Sequence, residues 1–191
     1  MRATPRRADA RRNIARVLDA ALSAFEEAGP DVPLDEIARR AGVGIATLYR
    51  LFGGRGALVR AVFGQLFEKQ VEPLVATARA AADPVDGLVE ALTATVEVLM
   101  AHQQLLAALR EAGGVSFDVA ERYLLPLAEV LTAAQREGLL RRDLEMRDLA
   151  AVVVMVLATV HLPIGHTPHR RYIALLIAGM RTKEGTLPPL D

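Results

Sequence analysis

Histidine is the first residue type to test for chemistry. His161, His166 and His169 fall within nine residues, dense enough to suggest a metal. They straddle a Pro-Ile-Gly break, share no i,i+4 spacing and have no carboxylate neighbour. The chain contains no cysteine, so thiolate ligation and disulfides are impossible. No metal site is expected. Ser116 and Asp118 stand close in "GVSFD", but a nucleophile needs a base within hydrogen-bonding reach, not a neighbour in sequence. The four histidines supply no convincing partner, so no catalytic residue is expected. The glycine-rich stretch 41–58, "AGVGIATLYRLFGGRGAL", is the remaining candidate for phosphate chemistry. A dinucleotide fingerprint would need glycine at 47, where threonine stands, and a preceding strand, where "LDEIARRA" reads as helix. A lysine-bearing phosphate loop would end in Gly-Lys-Ser/Thr, which "GGRGAL" lacks. No cofactor is expected.

The same stretch carries groups that can read a nucleic acid. Two short helical words, "LDEIARRA" and "IATLYRLF", are joined by a glycine turn, the pattern of a helix-turn-helix whose second helix is the reader. Ile45, Leu48 and Leu51 or Phe52 share its inward side at helical spacing. Gly44 and Ala46 are small enough to let the helix sink into a major groove. Thr47 can bond a base edge or give its methyl to thymine, and Arg50 can reach guanine or a phosphate. Tyr49 can give its hydroxyl to a phosphate while its ring packs on the domain. The amides opening the next helix, with Arg55 beside them, suit a second phosphate. The set expected at DNA is Gly44, Ile45, Ala46, Thr47, Tyr49, Arg50 and Arg55. On spacing alone a second reading stands beside it: three packed helices with glycines as plain turns.

The elements that must hold these groups read as helices throughout, an all-α fold. Apolar residues make up 52% of 191 residues but aromatics only 4%, so Ala, Leu and Val dominate and favour helix. A first helix is expected over about 8–28, with Ile14, Leu18, Ala21, Leu22 and Phe25 on one face. Helices follow at about 34–41, 45–51 and from 55, where Pro73 bends or interrupts the run. Others are expected at 84–109, with or without a break, at 116–138 with a kink at Pro126, at 145–162 and at 168–180. "VVVMV" at 152–156 is β-prone by type, but its length and surroundings favour a buried helix. The low-charge run 149–164 is shorter than a membrane span, and no apolar signal core follows the basic N-terminus. A cytoplasmic protein without membrane association is expected. Formal charge is zero overall, yet residues 1–60 hold 11 Arg against 7 acidic residues, and residues 61–191 the reverse excess. That asymmetry permits a polyanion at one end only.

"PLDEIARRAGVGIATLYRLFGGRGALVRAVF", residues 33–63, closely resembles the DNA-binding region of the TetR family of transcriptional regulators. The resemblance extends weakly back through 11–29. It rests on "IARRAGV", then "TLYRLF", then "ALVRAVF". It implies a three-helix head, residues 1–55, that binds an operator. It also implies a helical body, residues 56–191, that binds a small effector and forms a homodimer. Most such proteins are repressors released by the effector. By resemblance Thr47, Tyr49 and Arg50 match reader positions, Arg55 a basic position near the DNA backbone, and Leu48 and Phe52 core positions. The chain departs from the pattern at Gly44, where Ser or Thr often caps the reader. It departs again at Gly53, Gly54 and Gly56 ahead of the fourth helix, and at Leu51, where His or Tyr is frequent.

Arg2, Arg6, Arg7, Arg11 and Arg12 precede or open the first helix. They read either as an arm on phosphates or in the minor groove, with Arg6, Arg7 and Arg11 at DNA, or as a solvated terminus. In the body, Met100, His102, Gln103, Leu106, Phe117, Tyr123 and His161 are candidates to line an effector pocket; ordinary packing is the alternative. The helices near 145–162 and 168–180 are apolar enough to form a dimer seam or to complete a monomer core. The function expected is a repressor on a double-stranded, palindromic operator, released by a small apolar or amphipathic effector. An activator or ligand-independent regulator of the same fold is one alternative. A helical enzyme or scaffold with an incidental motif is the other.

Overall fold

A computed structural model describes residues 5–114, 125–159, 169–181 and 185–188. Among these residues there is no strand. The chain divides into two compact units, Met1–Phe67 with His102–Val115, and Glu68–Ala101 with Ser116–Asp191.

The first unit opens with α1, Pro5–Ala28. Proline is accommodated at a helix start because the first amides lack partners there anyway, so the helix begins earlier than the sequence expectation. Val17, Leu18, Ala21, Ala24 and Phe25 are its buried stripe, while Ile14 and Leu22 are only half-buried. α2, Leu34–Ala41, and α3, Ile45–Phe52, follow, and then α4, Arg55–Leu66. α4 buries Leu58, Val59, Val62, Phe63 and Leu66.

Pro73 acts where the sequence places it. The helix path widens into a π-helical turn at Phe67–Val71 and restarts as α5, Glu72–Arg79, with the proline in its first turn. A proline continuing the α-helix would lack its amide donor and clash with the carbonyl four residues back; restarting avoids both.

The second unit is built on α6, Pro84–Ala101, which buries nine residues along its length. Asp83 caps it, its Oδ1 accepting from the amides of Val85 (2.7 Å) and Asp86 (3.2 Å). Gly87 is needed there for a close approach. A Cβ at that position would lie 2.5 Å from the Ala78 carbonyl oxygen and 2.9 Å from Ala81 Cβ. The helical stretch 84–109, for which the sequence leaves a break open, breaks at His102, and α7, Gln103–Glu111, belongs to the first unit and packs on α1 and α4. The expected helix 116–138 is described from a 3-10 turn, Leu125–Leu127, into α8, Ala128–Arg136. Pro126 sits in that turn, and residues 116–124 of the expected helix lie outside the described residues.

α9, Met146–Thr159, and α10, His169–Met180, pack on α6 and on each other. "VVVMV" is therefore helical. Glu97 of α6 joins α10 through His169 Nε2 (3.1 Å) and Arg170 Nη2 (2.6 Å). The hydrogen bond to His169, more than the Arg170 guanidinium, holds the Glu97 carboxyl below its usual range against some desolvation. Among the described residues no helix is long and apolar enough to cross a membrane.

Candidate nucleic-acid interface

The turn between α2 and α3 is built from backbone up. Val43 N–H donates to Ala38 O (3.0 Å) and Gly42 N–H to Arg39 O (3.1 Å), the paired bonds of a Schellman stop. They require Gly42 in the left-handed region, at φ 63° and ψ 37°, which a side chain would strain. Arg16 of α1 then ties the turn down. Its Nη2 donates to Ala41 O (2.5 Å) and Gly42 O (3.2 Å), satisfying two carbonyls at the end of α2. The sequence reading missed Arg16, because an arginine on a helix surface gives no local sign of such a partner.

α2 is held from outside as well. Glu36 accepts from Arg39 Nη2 (2.7 Å) and Arg40 Nε (2.8 Å), and Arg40 Nη1 reaches Glu27 of α1 (2.5 Å). Hydrogen bonds from Arg39 first, then Arg40, lower the Glu36 carboxyl to about 2.

α3 starts at Gly44, extended at φ −71° and ψ 147°, with no side-chain cap. It closes with Gly53 at φ 80°, whose amide donates to Tyr49 O (2.7 Å), and Gly54 leads into α4. Leu48 is its one buried residue. Gly44, Ala46 and Arg50 are exposed, Thr47 is half-buried, and Tyr49 is 51% exposed. Ile45 departs from the inward side expected of it: it is 40% exposed, on the surface with the other reader residues. Leu51 and Phe52 take the inward flanks and are half-buried.

Arg55 also departs from expectation. Its Nη1 donates to Val32 O (2.7 Å), its guanidinium carbon lies 5.6 Å from the Phe25 ring centroid, and Nη2 is buried with no hydrogen-bond partner. The charge expected at a phosphate is turned inward, where it bonds the α1–α2 turn and stacks on an aromatic face. Arg6, Arg7 and Arg11 lie within α1, so they belong to a helix rather than to an arm ahead of one.

The described effector candidates fall on α6, on α7 and at the break between them. Met100 lies in the last turn of α6, half-buried, in the second unit. His102 belongs to the first unit and places Nδ1 3.3 Å from Glu26 Oε1 of α1. Gln103 is exposed and Leu106 half-buried, both on α7. The break at His102 puts Gln103 and Leu106 on α7 of the first unit instead of along α6. Phe117, Tyr123 and His161 lie outside the described residues. Two depressions in the second unit, of about 250 and 420 Å³, are lined around Arg141–Glu145 and contain none of the candidates. Among the described residues no cluster of metal-ligating side chains occurs, and His169 is engaged by Glu97.

The model of bacterial regulatory proteins of the tetR family matches residues 17–62, spanning most of α1 through α4. Across the whole chain, the TetR transcription regulatory protein from Mycobacterium vanbaalenii is 36% identical. The match covers 93% of this chain and 100% of that one, with a TM-score of 0.56. The chain belongs to the TetR family. A TetR transcriptional regulator from Streptomyces coelicolor is 28% identical over 88% of this chain and 98% of its own, with a TM-score of 0.60. RolR in complex with resorcinol shares the fold, at a TM-score of 0.73 and 19% identity over 91% of this chain and 89% of that one. A search of curated proteins finds no match. This TetR-family protein is a transcriptional regulator, and α2–α3 is its helix-turn-helix.

Proposed function

We propose that this regulator is a homodimeric repressor acting in the cytoplasm on a palindromic operator, which it leaves when a small apolar or amphipathic molecule binds. The observation that carries the reading is the outward face of α3. Ile45, Ala46, Tyr49 and Arg50 are all exposed on a helix anchored by Leu48. Arg50 has the fork to grip a guanine edge or a phosphate, and the Tyr49 hydroxyl suits a phosphate. Gly44 and Ala46 allow close approach, and Thr47 lies at the edge of the face. The first amides of α4 offer a phosphate site without the Arg55 charge. Arg6, Arg7 and Arg11 add cationic character on the first turns of α1.

Dimerisation is supported by the second unit. Val154 and Met155 on α9 and Leu175 on α10 are about half exposed, at 51%, 49% and 59%. Ala158, Ala174 and Ala178 are exposed with them, extending an apolar stripe along each helix. Two such helices from each copy would bury the stripes in a symmetric four-helix seam. Two heads related by that symmetry would read inverted half-sites. An effector role draws support from RolR, a protein of this fold that holds resorcinol. Release follows if the effector binds more tightly to the state that reads DNA poorly.

Selection of bound fragments from genomic DNA in vitro tests the reading. A palindromic operator is expected, with weaker operator binding by Tyr49→Phe and Arg50→Ala. No specific footprint, or unchanged operator affinity in both variants, would sink it. A reporter placed behind the recovered operator then shows whether binding lowers transcription.

A further inference from the structure

We propose that Ile45 is a specificity-determining residue that reads the methyl group of a thymine in the major groove. The proposal rests on α3 being the operator-facing helix and adds what one of its residues selects. With about 100° per residue, Ile45 and Tyr49 lie roughly 60° and 100° from the Leu48 direction, on the same side. Ala46 and Arg50 form the next i,i+4 ridge beyond them. Ile45 and Tyr49 are the exposed large hydrophobic side chains among the described residues of the first unit, and they are neighbours on one flank. Packing accounts for only part of Ile45, since 40% of it remains in contact with solvent.

Its position and chemistry narrow what it meets. The N-terminal residues of a reading helix are those that touch base edges. Gly44 before Ile45 has no side chain, Ala46 after it has only a methyl and Leu48 is buried, so Ile45 is the longest exposed group on the first turn of α3. Isoleucine has no donor or acceptor. Placed against guanine, cytosine or adenine edges, it would leave their polar groups without partners. The thymine C5-methyl is the apolar feature of the major groove, and burying it against the isoleucine gains contact at a group that needs no hydrogen bond. The aliphatic residue therefore selects a T·A pair beside the position gripped from the Arg50 ridge.

Replacing each thymine of the selected operator by deoxyuridine, one at a time, removes only the methyl. At one position per half-site the wild-type protein should bind roughly fourfold more weakly, the worth of one buried methyl group. Ile45→Ala should bind the thymine and deoxyuridine operators alike at that position, and Ile45→Val should keep the discrimination. The salt dependence of binding should be the same in all three proteins, because no phosphate contact changes. An operator whose thymines show no methyl dependence overturns the proposal alone. So does the same deoxyuridine profile in wild type and Ile45→Ala. Failure to recover any operator overturns it together with the reading on which it rests.

Discussion

α2 and α3 are each eight residues long, yet the fold fastens them in opposite ways. α2 buries Ile37, Ala38 and Ala41, its carbonyl end is bonded by Arg16, and its exposed side is laced by Glu36, Arg39 and Arg40. α3 buries Leu48 alone, with Thr47, Leu51 and Phe52 half-buried, and presents Ile45, Ala46, Tyr49 and Arg50. The difference teaches how a short helix can be both fixed and available. The fixing forces are concentrated on its neighbour and on the turn between them, so that few of its own side chains are consumed.

The contrast can be broken most severely at its single anchor. Leu48→Ala should cost about 3 kcal/mol in denaturant unfolding, because a fully buried leucine leaves a cavity with no second buried residue on α3 to share the load. Ile37→Ala should cost less than that if α2 is held at several points, and equal losses would refute the asymmetry. Next in size is the turn. Arg16→Ala should lose about 1 kcal/mol of stability by stranding the Ala41 and Gly42 carbonyls. It should also weaken specific operator binding more than non-specific binding. Equal weakening of both, with a shallower salt slope, would instead make Arg16 a phosphate contact.

Smaller effects sharpen the same picture. A Cβ on Gly44 would meet nothing within 4 Å, and its dihedrals suit any residue. Gly44→Ser should therefore stabilise the head by a few tenths of a kcal/mol by capping α3, measurable as a raised melting temperature. The smallest effect concerns pH. A carboxyl held at about 2 rather than 4.5 favours the folded state above the higher value and loses that contribution as pH falls through the lower one. Glu36→Gln should thus melt below wild type at neutral pH, and the gap should close between about pH 4.5 and 2. A gap that persists in acid would show that the Glu36 network acts through packing rather than charge.

Much of the helix-turn-helix is legible in the sequence, because its signals are local. Gly42 marks a left-handed stop, and Ile37, Ala38 and Ala41 repeat at helical spacing. The facing of Ile45 is not legible. An eight-residue helix with one buried anchor provides no second fixed point from which to set its rotation, so an apolar residue three positions away reads as inward. Arg55 and Arg16 mislead for another reason. Their partners Phe25, Val32, Ala41 and Gly42 stand 23 to 30 residues away, and a charged residue type suggests solvent. Nor does sequence spacing show that His102 ends one helix of the second unit and returns the chain to the first. The effector residues chosen there accordingly fall on both sides of that break.

That return has a consequence for the order in which the protein can be assembled during synthesis. α7 supplies Leu105, Ala108 and Leu109 to the first unit, but it is made only after α5 and α6 of the second. A nascent chain that has emerged as far as Phe67 holds every helix of the reading head and still lacks one wall of its core. The packing of α7 on α1 and α4 can form only once Glu111 has been delivered, when α5 and α6 of the interrupting unit are already made.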